Sequence, residues 1–253
     1  MNFVWAVFRR ELKSYFVSPL AYTAMAVFVA FQGVLFFMAL GQYESLRLRA
    51  ASNPLLEVPG GEMIVRSFLG QDLIWTLLVI VPLLTMRLLA EEKKQHTAEL
   101  LLTAPMTTRH LVLGKFFGAC AVLAVMLAIT TWMPTLLLEW GHIDPAPMIS
   151  GYLGAFLYGA LLLALGLLAS SLTDSSMIAA FLALAMVALV NLGGVLAVKI
   201  PFIGENLEQF TPSANLNLLA RGVIDTQPLV FFAAAIIFVL DLTSRVVDSQ
   251  RWR

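Results

Sequence analysis

Apolar residues along this chain are gathered into six long runs, and the segments between the runs hold most of the charged residues. The runs cover 21–41, 68–89, 111–138, 149–172, 177–200 and 229–243. A helix of about 20 apolar residues crosses the hydrocarbon of a bilayer while satisfying all of its backbone hydrogen bonds internally. The pattern therefore predicts an all-α, polytopic membrane protein with about six transmembrane helices, folded as a single transmembrane domain over 1–253.

The segment before the first run, 1–18, is amphipathic. Its apolar residues recur at helical spacing, and they are Val4, Phe8, Leu12, Tyr15 and Phe16. Arg9, Arg10 and Lys13 lie largely elsewhere on the helix surface, and Glu11 interrupts the pattern. Pro19 disfavours helical geometry at the residue before it. We therefore predict an N-terminal interfacial helix, either a simple anchor or one that also contacts a partner.

Composition supports a membrane protein and argues against binding of nucleic acid. Hydrophobic residues make up 60% of the chain, charged residues make up 13%, and the mean hydropathy is +0.86. Such values are typical of proteins that lie in a bilayer. Lysine plus arginine and aspartate plus glutamate both number 16, so no overall basic field attracts nucleic acid.

The distribution of lysine and arginine predicts the orientation of the chain. Six spans place both termini on one side. Eleven of the 16 basic residues then lie on that side, and five lie on the other. Because cytoplasmic segments near span ends carry the excess of lysine and arginine, we predict an N-in, C-in topology.

The chain lacks the sequence motifs of an enzyme. No G-x-x-x-x-G-K-[ST] loop is present to cradle phosphates, so ATP hydrolysis by this chain alone is not expected. His96, His110 and His142 lack the spacing of metal ligands. Ser170 and Ser171 lack the tight glycine turn that presents a nucleophilic serine. We therefore assign no catalytic, cofactor-binding or metal-binding residue.

The spans also lack the polar groups of an ion-coupled carrier. We expect no ionisable side chain in their interior, since Glu139 and Asp241 lie only near span ends. Carriers driven by protons or sodium usually hold such groups near the midplane. Any transport is then expected to take its energy from another polypeptide that docks on the cytoplasmic side.

One segment, 87–108, has the features of a docking element. It begins with mixed charges, turns into a leucine-rich stretch and stops at Pro105. Thr107 or Thr108 can cap the helix that follows, and Arg109 and Lys115 are expected to reach the headgroup level. On spacing alone, a short cytoplasmic helix and a solvated loop with snorkelling anchors are equally supported.

The stretch PLLTMRLLAEEKKQHTAELLLTAPMTTRHLVLGKF resembles the signature of type-2 ABC transporter permeases, M-R-x-x-A-E-E followed by T-x-E-L-L-L-T-x-P. In that family the segment is a coupling helix that enters a groove on the ATP-binding subunit. The resemblance implies that this segment supplies the partner-facing residues, which are Arg87, Glu91, Glu92, Thr97, Glu99 and Leu100. It also implies that ATP and Mg²⁺ are held by the partner.

Other stretches are similar to the gliding-motility-associated subgroup of these permeases. They are FRRELKSYFVSPLAY, DPAPMISGYLGAFLYGALLLALGLLASSLTDSSMIAAF and GVIDTQPLVFF. Two positions depart from the pattern, His96 where the family commonly has glycine and Ser176 where the subgroup often has glutamine. The resemblance implies a six-span half-transporter of the bacterial inner membrane, paired with a second permease, identical or different, and exporting a substrate.

Four points stay open at this level. The same architecture could act as a mechanotransmission protein or a membrane scaffold that drives or anchors an extracytoplasmic partner without transport. The outer segment 201–227 could be a packed loop, which we favour, or form short re-entrant helices. Small residues at four-residue spacing, Gly114 with Gly118 and Ala155 with Gly159, favour packing within one subunit over a dimer seam. The sequence does not identify the substrate.

Overall fold

The computed structural model describes residues 3–52, 60–94, 107–141, 145–197, 211–222 and 224–250. Within these ranges the chain is helical and contains no strand. The helices, in chain order, are α1 (Phe3–Val17), α2 (Pro19–Ser52), α3 (Glu62–Ser67), α4 (Leu73–Thr85), α5 (Ala90–Lys94), α6 (Thr108–Thr130), α7 (Trp132–Gly141), α8 (Ala146–Ser171), α9 (Ser176–Ala197), α10 (Pro212–Leu219) and α11 (Thr226–Gln250). A π-helical turn, Phe68–Asp72, joins α3 to α4.

Five stretches of helix are long and apolar enough to cross a membrane. They are Ala21–Ser52, Glu62–Lys94, Thr108–Leu137, Ala146–Ser171 and Thr226–Gln250. A sixth apolar stretch, Ser176–Leu192 within α9, is shorter. The prediction of an all-helical, multi-pass membrane protein is confirmed, and the predicted span 177–200 corresponds to α9.

Two predicted spans are longer in the structure than hydropathy alone indicates. The predicted first span ends at residue 41, but α2 continues to Ser52 because residues 42–52 contain leucine, arginine and alanine and no helix breaker. The last span, predicted as the shortest, forms the 25-residue helix α11. Its polar end is supported by an ion pair one turn apart, Arg245 to Asp241 at 2.7 Å.

The third predicted span is interrupted at Thr131, between α6 and α7. Pro134 follows this point, and a proline ring removes the hydrogen bond to the carbonyl four residues earlier, which belongs to Thr130. The Thr131 N–H bonds to the Ala128 carbonyl, three residues back. The Leu127 carbonyl, four residues back, accepts hydrogen bonds from the hydroxyl groups of Thr130 and Thr131. The interruption therefore combines a missing bond at the proline with a tightened turn just before it.

The short helix α10 occupies part of the outer segment for which we favoured a loop. Thr211 caps it by accepting a hydrogen bond from the Ala214 N–H at 3.3 Å. Leu216 and Leu219 are buried and face α8, so the helix covers the core. Residues 201–210 of the same segment lie outside the described residues.

Helix α8 is the centre of the bundle, and it contacts α4, α6, α9, α10 and α11. Its glycines allow these close approaches, because a Cβ at each would overlap a neighbouring side chain. The neighbours are Leu69 for Gly151, Leu219 for Gly154, Leu123 for Gly159 and Thr85 for Gly166. Helices in a bilayer are not driven together by the hydrophobic effect. Small residues favour their association because they let the backbones approach closely enough for extensive van der Waals contact.

We predict that Gly166→Ala destabilises the protein although alanine is the better helix former. The added Cβ would lie 2.7 Å from Thr85 Cβ, an atom close to the backbone that cannot swing away. Such overpacking costs about 1–3 kcal/mol, which exceeds the gain of about 1 kcal/mol in helix propensity. The midpoint of thermal unfolding in detergent, followed by tryptophan fluorescence, should fall by several degrees.

The matched control is Gly41→Ala in α2, where a Cβ would have no neighbour within 4 Å. This variant should keep or slightly raise the midpoint. Equal midpoints for the two variants would contradict the close packing of α8.

Candidate functional site

Charged and polar groups from six segments meet at one end of the bundle, which we call the Lys115 end. It comprises α1, the last turn of α4 with α5, the start of α6, and the ends of α8 and α11. Tyr15 in α1 donates a hydrogen bond to the Leu84 carbonyl at 3.0 Å, and Thr108 at the start of α6 bonds to Asp248 near the end of α11. The two ends of the described chain therefore lie at the same end of the bundle.

Helix α1 packs closely along α6 because two glycines in α6 face it. A Cβ at Gly114 would lie 2.6 Å from Val7 Cβ, and one at Gly118 would lie 2.9 Å from Glu11 Cβ. These glycines thus serve a contact within the chain, as their spacing suggested. The close approach places Glu11 directly opposite Lys115.

Lys115 is the buried centre of an ion network. Its ammonium lies 2.7 Å from Glu11 Oε1 and 2.9 Å from Glu92 Oε1, and only 2% of its side chain is exposed. Arg10 reaches the same Glu92 oxygen at 3.0 Å. A buried ammonium is tolerated only with such partners, so the network ties α1, α5 and α6 together.

The network corrects two expectations from the sequence. Lys115 is not a surface side chain but is enclosed, because α1 covers the point where its side chain leaves α6. The expectation of no ionisable residue inside the spans is also wrong, since Lys115 lies well within α6 and Asp72 lies within the stretch Glu62–Lys94. Glu11, which interrupted the amphipathic pattern, is the partner of Lys115.

The serine pair at the end of α8 holds α5 from the other side. The N–H groups of Leu89 and Ala90 both donate to Ser170 Oγ at 3.0 Å. Lys93 donates to the carbonyl of Ser171, which also accepts from Gln250 at 3.0 Å. The first residues of the predicted docking element are therefore fixed to α8 as well as to α6, and the Ser171 carbonyl also joins α8 to α11.

Sequence reasoning considered Ser170 and Ser171 only as nucleophiles and missed this role. Nothing in their spacing relates them to residues about 80 positions earlier. The contact depends on Gly166, one turn before, which lets α8 approach the end of α4 at Thr85. Only the three-dimensional packing shows the pairing.

The predicted partner-facing residues divide into two groups. Arg87 and Glu91 form a partly exposed pair at 3.5 Å, whereas Glu92 is turned inward to Lys115 with 13% of its side chain exposed. Thr97, Glu99 and Leu100 lie outside the described residues, as does the whole of 95–106. Among those described, Arg87 and Glu91 are the ones whose charged side chains are substantially exposed.

The basic residues of α1 also divide. Arg9 and Lys13 are exposed, and Arg10 is exposed along its length while its guanidinium meets Glu92.

Burial, and secondarily the charge of Glu11, raises the pKa of the Tyr15 phenol above its ordinary value. Tyr15 therefore stays protonated near neutral pH and keeps its bond to α4.

A second set of contacts joins α6 to α11. Arg109 lies 3.5 Å from Asp241, which is also paired with Arg245, and all three side chains are substantially exposed. Exposed pairs of this kind contribute little to stability. Arg109, in contrast to Lys115, lies at the surface as the sequence suggested.

A comparison with known families matches most of the sequence, including the part of this site formed by α5, α6 and α8. The model of a family described as ABC-2 family transporter protein matches residues 42–240, which run from within α2 into α11 and include α5 and the segment after it. No curated protein shows significant similarity to the chain. The match covers well over half of the sequence and agrees with the resemblance of 82–116 to type-2 ABC permeases. This chain belongs to the ABC-2 family of transporter proteins.

Proposed function

We propose that this chain is the membrane subunit of an ATP-driven exporter in the bacterial inner membrane. Family membership makes it a permease component of an ABC transporter. Such permeases are normally non-catalytic and generally pair with an ATP-binding subunit. In the proposed exporter the partner holds ATP and Mg²⁺, and residues 87–108 transmit its motion to the spans.

The observation that carries this proposal is the attachment of α5 on two sides. Lys115 holds Glu92 from α6, and Ser170 holds the backbone of Leu89 and Ala90 from α8. A force applied to the segment after α5 therefore reaches two spans and α1 directly. A solvated loop, the alternative from spacing alone, would need no such attachment.

The direction of the helices supports six spans. The ends of α4, α8 and α11 and the start of α6 lie at the Lys115 end, and α9 begins shortly after α8 ends. Successive long helices from α2 to α11 thus alternate in direction. With the excess of basic residues on that side, we place the Lys115 end in the cytoplasm and α1 at its interface.

Pairing with a second permease, identical or different, completes the proposed complex, because a half-transporter encloses no complete pathway. Assignment to the gliding-motility subgroup rests on the sequence stretches alone. The alternatives, mechanotransmission and a scaffold without a motor, share this fold and differ in what ATP hydrolysis achieves. Movement of a substrate in vesicles would distinguish export from mechanotransmission. A bound ATPase would distinguish export and mechanotransmission from a scaffold.

We predict that an ATP-binding subunit co-purifies with the chain from native membranes in mild detergent, and that Glu99→Lys with Leu100→Asp removes it. The two changes place a positive charge and a buried carboxylate in the proposed groove contact. Recovery of the partner should fall at least tenfold, which corresponds to about 1.4 kcal/mol. Quantitative mass spectrometry of the purified complex measures the ratio.

The control pair is Glu44→Lys with Leu48→Asp, two exposed positions at the far end of α2. It makes the same chemical changes away from the proposed interface and should leave recovery unchanged. Absence of any ATPase, under conditions that preserve other membrane complexes, would refute the exporter and favour the scaffold.

A second prediction concerns Lys115. Lys115→Met leaves the carboxylate of Glu11 buried without its cation and takes one of two cations from Glu92, and this should cost about 3–5 kcal/mol of stability. The triple variant Glu11→Gln, Lys115→Met, Glu92→Gln removes the charges together and should regain most of that loss. Thermal unfolding of the purified chain measures both effects.

The triple variant should nevertheless lose coupling, since neutral groups no longer bind α5 to α1 and α6. The measured quantity is the stimulation of the partner's ATPase by the membrane subunit, which should fall several-fold. Arg109→Met, at an exposed position on the same helix, should change neither quantity appreciably. Normal stimulation in a stable triple variant would show that the network is only structural.

A further inference from the structure

A polar cleft at the Lys115 end is not explained by coupling to an ATPase. It lies between α1 and the end of α4 with α5, and its volume is about 380 Å³. Pockets that bind small molecules in proteins range from about 300 to 1,000 Å³. The cleft is therefore large enough for a compact polar group.

The charges that line the cleft balance. Its three cations and three carboxylates are Arg10, Arg87, Lys115, Glu11, Glu91 and Glu92. A lining with zero net charge does not favour a multiply charged anion, whereas it suits a group that carries one charge of each sign. The cleft thus selects for a zwitterion.

The arginines are the cations able to turn toward a ligand. Arg10 and Arg87 have side chains that are 56% and 49% exposed, so both guanidinium groups are accessible, and the exposed pair of Arg87 with Glu91 is weak enough for a ligand to compete. Lys115, in contrast, is buried between its carboxylates. Guanidinium groups match the oxygens of phosphate with paired hydrogen bonds, so the anionic part of the zwitterion is best a phosphate.

The cationic part is best a primary ammonium. Glu91 lines the cleft beside the hydroxyl groups of Ser14 and Ser18, all of which accept hydrogen bonds. A quaternary ammonium cannot donate such bonds and is usually enclosed by several aromatic rings. Tyr15 is the aromatic residue among the described lining, and its hydroxyl already bonds to Leu84.

The cleft lies next to an apolar surface of the kind that a lipid acyl chain can cover. An apolar groove of about 740 Å³ lies between α4 and α9, and Leu83, Arg87 and Glu91 line both the groove and the cleft. Phe181 and Met177 stand on its α9 side and are largely exposed. A charged head in the cleft would thus have an apolar surface beside it for a chain.

We propose that this cleft binds the headgroup of a phosphatidylethanolamine molecule. The phosphate lies against Arg10 and Arg87, the ammonium faces Glu91 and the α1 serines, and one acyl chain crosses Leu83 into the groove. Because the lipid sits between α1 and α5, its binding sets how firmly α5 is held. This site does not depend on the exporter proposal and can be tested on the purified chain.

The test is native mass spectrometry of the delipidated chain, titrated with phosphatidylethanolamine, phosphatidylcholine and phosphatidylglycerol of identical acyl composition. The ethanolamine lipid should bind at least tenfold more tightly than the other two. Arg10→Gln with Arg87→Gln should remove this preference. Arg9→Gln with Lys13→Gln, which removes two charges from α1 outside the cleft, should retain it.

Ser14→Trp fills the cleft without a change of charge and should also remove the preference. This variant tests the proposal if the double arginine variant does not fold. Equal binding of the three lipids would show that only annular contacts exist. Tighter binding of phosphatidylglycerol would indicate an anionic ligand instead, and an equal loss in both double variants would indicate a general attraction to α1. Each of these three results overturns the proposal.

Discussion

The burial of one ammonium group, that of Lys115, constrains the whole of the Lys115 end. In a bilayer protein a buried cation must be matched by carboxylates, and here they come from α1 and α5. If either carboxylate moved away, the buried ammonium would keep only one of its two partners. The position of α1 along α6, the inward turn of Glu92 and the cleft between α1 and α4 all follow from this requirement.

The second constraint is steric, and it is distributed along α8. Glycine at four positions lets four neighbours approach the central helix, and the last of them, Gly166, brings the end of α4 beside Ser170. The hydrogen bonds that attach α5 to Ser170 therefore depend on the close packing at Gly166, one turn away. In the proposed mechanism this combination makes α5 a rigid link between an ATP-binding partner and the spans.

Hydropathy predicted the helices well because the need to satisfy backbone groups in lipid leaves few alternatives. It misplaced the ends of α2 and α11, where polar residues with good helix propensity continue the helix beyond the apolar run. Hydropathy did not predict the buried ion pair of Lys115 with Glu11, since the sequence does not show that Gly114 and Gly118 face another helix. Local chemistry identified the segment 87–108, but its anchors, Ser170 and Lys115, are distant in the chain.

Amide hydrogen exchange on the complex with its ATP-binding subunit, with and without ATP, tests the central claim most directly. If the Lys115 network and Ser170 transmit motion, nucleotide should change exchange in residues 86–94, in α1 and at the end of α8 together. The same experiment on the triple charge-neutral variant should show the change in 86–94 and at the end of α8 but no longer in α1, because the bonds to Ser170 remain. A response confined to 86–94 in the unmodified protein would contradict the account.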